Sequence, residues 1–181
     1  QNGSLDVDKA VDIHQGLLKI PGAIGKSMTL FDSILPIANQ LKNSHSCLFL
    51  GRDILFPLAC EGALKLKELS YIHAEGFASG EMKHGPIALL EKGLPVVSFV
   101  SEDESARKSI SNLKEAEARG GFIIVIGTQT AVNLIDFATE KIIIPDCDPL
   151  LTPILGAVPA QILAYLTAYE KGTDIDQPRN L

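Results

Sequence analysis

Residues 57–72 read PLACEGALKLKELSYI and are expected to form a helix, with Pro57 at a first-turn position. At 100° per residue, Glu61, Lys65 and Glu68 fall on one face, four and three residues apart, and Lys67 points away. Geometry alone also fits a solvated face whose Glu-to-Lys pair is worth about 0.2–0.5 kcal/mol. The next stretch, HAEGFASGEMKHGP at residues 73–86, gathers His73, Glu75, Glu81, Lys83 and His84 among three glycines and a proline. It reads as a loop, and a loop so rich in titratable groups on a rigid scaffold is where sites tend to sit. His84 precedes Gly85-Pro86 and the apolar run Ile87–Leu90, which places it at the start of a short helix. There the helix dipole would keep the imidazole neutral and able to shuttle protons. A carboxylate on a helix face and a neutral histidine form a workable acid–base pair for enolisation next to a carbonyl. His73, Glu75, Glu81 and His84 match no metal-ligand spacing, so no metal is expected. His14 and His45 stand in polar surroundings and read as surface residues.

The elements that must carry these groups alternate between strand and helix. Ser46–Leu50, Pro95–Val100, Phe122–Ile126 and Lys141–Ile144 are short, almost wholly apolar and β-branched, as strands buried on both faces of a parallel sheet are. Helices are expected over residues 22–42, 57–72, 104–119 (ending at Gly120-Gly121) and from about Thr152 to Lys171, where Gly172 stops the last. This pattern predicts an α/β doubly wound three-layer sandwich, a central parallel sheet flanked by helices. Residues 1–19 read as a lead-in or linker, and Gln1–Ser4 as uninformative.

Three loops at strand ends are candidates for a phosphate cradle. In Gly51-Arg52-Asp53 the carboxylate opposes the arginine. In Ser101-Glu102-Asp103-Glu104-Ser105 three carboxylates would repel a phosphate. Gly127-Thr128-Gln129-Thr130 offers hydroxyl and amide groups without an opposing charge, a possible but generic cradle, and all three loops read better as plain turns. With neither GxGxxG nor a Walker motif, nucleotide binding is unsupported.

Composition narrows the class further. The 181 residues carry a net charge of −6 and no basic stripe, which argues against nucleic acid. No apolar run approaches the length needed to span a bilayer and no signal peptide opens the chain, so no membrane partner is expected. Cys47, Cys60 and Cys147 are odd in number and scattered, which suits a reducing, cytoplasmic setting. Two of them lie in apolar segments and read as small core hydrophobes.

The string EGALKLKELSYIHAEGFASGEMKHGP closely resembles the isomerase domain of the isomerising glutamine–fructose-6-phosphate aminotransferases, members of the sugar isomerase (SIS) family. GTDIDQPRNL at residues 172–181 resembles the C-terminal tail of that family, and LTPILGAVPAQILAYLTAYEKG the helix before it. The similarity runs in register from about Leu48 to Leu181. It implies the SIS fold over residues 20–181, as the second of two SIS copies, and an enzyme that makes glucosamine-6-phosphate from fructose-6-phosphate and glutamine in hexosamine synthesis. By position, Glu68 would move a proton between C1 and C2 of the open-chain sugar and Lys65 would assist it. His84 would help open the ring, reaching into the neighbouring subunit's site. Glu61, Gly85 and Arg179 match as structural support. The resemblance implies no cofactor and a homodimer, with the glutaminase domain and the first SIS copy as further partners. The sugar-phosphate loop belongs to that first copy, and the family's Schiff-base lysine falls beyond the matched tail. By itself the chain is therefore expected to fold but to show little turnover.

Two rival readings remain. One is another SIS phosphosugar isomerase or deglycase. The other is a non-catalytic sugar-phosphate sensor, which would need a phosphate loop more than it needs Glu68 and His84.

Overall fold

The computed structural model describes residues 6–103 and 106–180. Its elements run α1 (Val7–Ser27), α2 (Phe31–Leu41), β1 (Ser46–Gly51), α3 (Phe56–Ser70), β2 (His73–Ala78), β3 (Pro95–Phe99), α4 (Ala106–Glu117), β4 (Phe122–Thr128), α5 (Gln129–Asn133), β5 (Glu140–Ile144) and α6 (Thr152–Lys171), with short 3₁₀ turns between them. All strand pairs are parallel, in the order β2-β1-β3-β4-β5. Ser46 lies opposite His73, Leu48 opposite Val96, Val97 opposite Ile124, and Ile126 opposite Ile142. The expected doubly wound α/β sandwich is therefore present.

Strand alternation divides the core in two. Cys47 and Phe49 of β1 face the layer of α2, α3 and α6, where they meet Ala63, Leu66, Leu155 and Leu163. Leu48 and Leu50 face the other side, packing with Met82, Leu113, Ala131 and Val132. The first side is the thicker, because α1 adds a further helix against α6. Phe49 and Phe99 stack at its centre, ring centroids 6.5 Å apart. Glycine lets α3 come this close: a Cβ on Gly62 would stand 2.8 Å from the Phe49 ring.

Several expectations are corrected. Residues 73–78, read as the start of a loop, form β2. It is an edge strand whose exposed His73 and Glu75 alternate with buried Ala74, so it lacks the continuous apolar run of the inner strands. The helix expected over 22–42 is the end of α1, a 3₁₀ turn at Met28–Leu30 and all of α2. The stretch read as lead-in is helical from Val7, and α1 passes residue 19 without a break. Strand β5 is an edge with Lys141 and Ile143 exposed, not buried on both faces. Cys60 is exposed on α3, so Cys47 alone of the three is a fully buried core residue. The helical stretch Pro149–Lys171, made of a 3₁₀ turn and α6, is uncharged from Leu150 to Tyr169 and is long and apolar enough to cross a membrane by composition, contrary to expectation. Much of it is buried instead, with Leu155, Leu163 and Ala164 in the core. Its end at Gly172, in the left-handed conformation (φ 71°), falls where predicted. Gln1–Ser4, Glu104-Ser105 and Leu181 lie outside the described residues.

Candidate functional site

Helix α3 starts beyond the carboxyl end of β1, crosses the sheet and ends beside the start of β2. Its inner residues, Leu58, Ala59, Ala63 and Leu66, are buried, which turns the Glu61–Lys65–Glu68 face outward. On that face the Lys65 ammonium donates to a Glu68 carboxylate oxygen at 2.8 Å, both side chains about one-third exposed or less. The hydrogen bond to Glu68 raises the Lys65 pKa, and the charges of Glu68 and Glu61 add to it against partial burial. Lys65 is thus held as a cation beside a carboxylate. The sequence-predicted face is assembled, as a closed pair.

His84 is placed differently from expectation. It ends the 3₁₀ turn Ser79–His84 instead of starting a helix, and its Nδ1 lies 3.0 Å from a Glu81 carboxylate oxygen. Gly85, not His84, caps the amino end of the next turn. Gly85 follows with φ 156° and leads into a second 3₁₀ turn, Pro86–Leu89. The His84 turn is pinned from α4: Asn112 donates to the Ser79 carbonyl at 2.6 Å, and Lys83 pairs with Glu115. The spacing of Glu81 and His84 was open to view in the sequence. The Asn112 contact, 33 residues away, carried no sequence signal.

The two halves of the predicted site are not brought together within one chain. Lys65 and Glu68 ride on α3, in the layer over Phe49. His84 rides on the crossover whose Met82 packs with Leu48 and Leu50 on the opposite face. His14 and His45 are exposed, as expected. His73 faces Ser46 and Glu75 across the amino edge of the sheet, at 3.4 and 3.7 Å.

In this strand order the usual ligand crevice opens at the carboxyl ends of β1 and β3. Here that edge is occupied by its own carboxylates. The Ser101 hydroxyl donates to Asp103 at 2.5 Å and the Thr128 hydroxyl to Glu102 at 2.7 Å, while Thr128 also caps α5. Arg52 has Asp53 3.8 Å away. The Ser101 and Thr128 hydroxyls are engaged by anions that would repel a phosphate. The sequence reading anticipates this for the 101–105 loop; for residues 127–130, read as free of opposing charge, it is corrected by Glu102 arriving from the other loop. A cavity of about 810 Å³ opens between α1 and the end of β5, beside Lys19, Lys26 and Asp146, and includes none of Lys65, Glu68 or His84.

A doubly wound parallel sheet flanked by helices, with titratable groups on a helix face and on a crossover, defines a three-layer α/β domain. The chain belongs to the SIS domain family, whose profile matches residues 40–171. It is 44% identical over 180 residues to the isomerizing glutamine–fructose-6-phosphate aminotransferase of Mesorhizobium japonicum, covering 99% of this chain and 30% of that one. To the enzyme of the same name from Methanosarcina mazei it is 42% identical, covering 99% of this chain and 29% of that one. The fold matches the C-terminal domain of glucosamine-fructose-6-phosphate aminotransferase from Francisella tularensis with a TM-score of 0.91 and 37% identity, over 96% of this chain and 49% of the other. The chain thus spans about a third of the length of the curated relatives it matches.

Proposed function

We propose that this chain is the second SIS lobe of an isomerising glutamine–fructose-6-phosphate aminotransferase, and that α3 carries its proton-transfer group. The observation that carries this reading is the Lys65–Glu68 pair, 2.8 Å apart on the outward face of α3. Glu68 takes a proton from C1 of the open-chain sugar and returns it to C2, which converts a ketose skeleton to an aldose. Lys65, kept cationic by its carboxylate neighbours, offsets the negative charge that develops on the sugar oxygen between those two steps. His84 serves ring opening in the site of a neighbouring copy, since its own α3 lies across the sheet. The sugar phosphate is held by another SIS copy, because the hydroxyl loops here are taken by Glu102 and Asp103.

A homodimer is part of the same reading. Ile54, Phe56 and Leu64 on and before α3 and Ile154, Tyr165 and Tyr169 on α6 are exposed apolar side chains that a second copy would cover. The three free cysteines suit a reducing, cytoplasmic compartment.

The test is glucosamine-6-phosphate formation by the gene product that carries these residues, with and without Glu68→Gln. A loss of about 10²–10⁴-fold in kcat is expected of a missing general base. An unchanged rate would overturn the assignment.

A further inference from the structure

The segment after α6 is tied down at three points, all on the terminal turn of α3 or just beyond it. The Thr173 hydroxyl donates to the carbonyl of Leu69 at 2.7 Å, with the Ala168 carbonyl 3.1 Å away. The backbone N–H of Arg179 donates to the Tyr71 hydroxyl at 2.8 Å. The Arg179 guanidinium lies over the Tyr71 ring, 4.1 Å from its centroid. Between these anchors the Asp174 carboxylate accepts the N–H groups of Asp176 and Gln177, which folds the segment into a compact turn.

Tyr71 is itself unusual. It ends α3 in the left-handed conformation, φ 60° and ψ 15°, where glycine is the residue of low cost. Its N–H still bonds the Lys67 carbonyl at 3.1 Å. A tyrosine in a conformation that favours glycine is explained by what its side chain does: ring and hydroxyl together form the seat for Arg179. Arg179 is exposed and Tyr71 half-buried, and neither belongs to the two core clusters. The contact therefore adds little to the core. The tail lands instead on Leu69, through Thr173, and on Tyr71, through Arg179, one and three residues after Glu68.

We propose that Tyr71 and Arg179 are positioning residues, whose clasp makes the tail Thr173–Asn180 a strap holding the last turn of α3, and with it the Lys65–Glu68 pair, in one geometry. Helix ends fray because their last carbonyls lack partners in the helix. The strap supplies partners from outside: a hydroxyl on the Leu69 carbonyl and a cation at the carboxyl end of the helix. With the strap released, Glu68 would sit in a fraying turn, and its 2.8 Å contact to Lys65 would be intermittent.

This inference rests on the reading of Lys65–Glu68 as the proton-transfer pair, and its test uses no substrate, so the two can fail separately. Side-chain NMR on the 181-residue chain reads the Glu68 carboxyl carbon and the Lys65 ammonium. Lys65→Met supplies the unpaired reference for Glu68. In Arg179→Ala and Tyr71→Leu, the Glu68 resonance is expected to move toward that reference. Amide exchange at Ser70, Tyr71 and Ile72 is expected to rise at least tenfold, with β4 amides unchanged. Tyr71→Phe, which keeps the ring face under Arg179, should fall between these and the parent chain. Should Tyr71→Leu fail to fold, Arg179→Ala, at an exposed position, decides alone. Glu68 and Lys65 resonances that match the parent chain in Arg179→Ala would overturn the proposal, even with lowered overall stability.

Discussion

Glu68 and His84 stand on opposite faces of the same sheet, one in the helix layer over Phe49, the other on the crossover over Leu48 and Leu50. Each has its own partner: Lys65 at 2.8 Å for Glu68, and Glu81 at 3.0 Å for His84. Sixteen residues of sequence separate them, yet β2 passes between, and its edge position puts α3 on one side and the His84 turn on the other. A site that uses both must draw them from two copies.

Complementation follows from that geometry. In the complete enzyme, Glu68→Gln and His84→Ala should each be nearly inactive as homodimers. Mixed and allowed to exchange subunits, they should regain turnover that neither shows alone, because one site of the mixed dimer has both groups intact. Activity assays before and after exchange read this directly; no recovery would mean that each site takes both groups from the same copy.

The Lys65–Glu68 pair predicts a pH dependence with a defined sign. Pairing raises the Lys65 pKa above the ordinary 10.5, so the folded state holds the proton more tightly than the unfolded chain does. Its stabilisation is fully present below pH 10.5 and is lost as pH climbs through the raised value. Lys65→Met should therefore be less stable than the parent chain at pH 8, and the gap should close above the raised value. With side chains 32% and 27% exposed, the gap is at most about 1 kcal/mol. Urea unfolding across that pH range measures it.

Gly76 should tolerate no side chain. A Cβ there would meet Cys60 Cα and N at 2.6 Å, and both belong to the α3 backbone, so β2 and α3 would have to part. Gly76→Ala should cost about 1–3 kcal/mol. Gly25, helical and with nothing within 4 Å of a Cβ, is the opposite case, and Gly25→Ala should stabilise by about 0.4–1 kcal/mol. Denaturation midpoints of the two variants should move in opposite directions.

Thiol labelling should discriminate the cysteines. Cys60 is exposed and should alkylate first. Cys147 should lag at pH 8, because partial burial, and then the charges of Asp148, Asp146 and Glu102, raise its pKa against the Thr152 hydrogen bond. Cys47 is fully buried and its pKa is pushed up strongly, so it should react only on unfolding. Mass spectrometry of a timed alkylation gives the order.

The inner strands were legible because burial on both faces leaves an unbroken run of Val, Ile, Leu and Phe, as in Ile123–Ile126. β2 was not, because an edge strand with His73 and Glu75 facing solvent carries the composition of a loop. The Glu61–Lys65–Glu68 face was legible because a helix converts spacing into adjacency by a fixed rotation. His84 was misplaced because Gly85 breaks the chain between two 3₁₀ turns, and local composition does not say on which side of such a break a residue falls.

Local periodicity thus determined the class of fold, the ends of α3 and α6, and the Lys65–Glu68 pair, all of which depend on residues within a few positions of one another. Tertiary structure alone decided what depends on long-range closure. It set the face of the sheet that His84 occupies, the pinning of its turn by Asn112, the reach of Glu102 to Thr128, 26 residues on, and the seating of Arg179 on Tyr71, 108 residues away. Such contacts are set by how layers stack, and side chains that meet across layers leave no mark in each other's neighbourhood in the sequence.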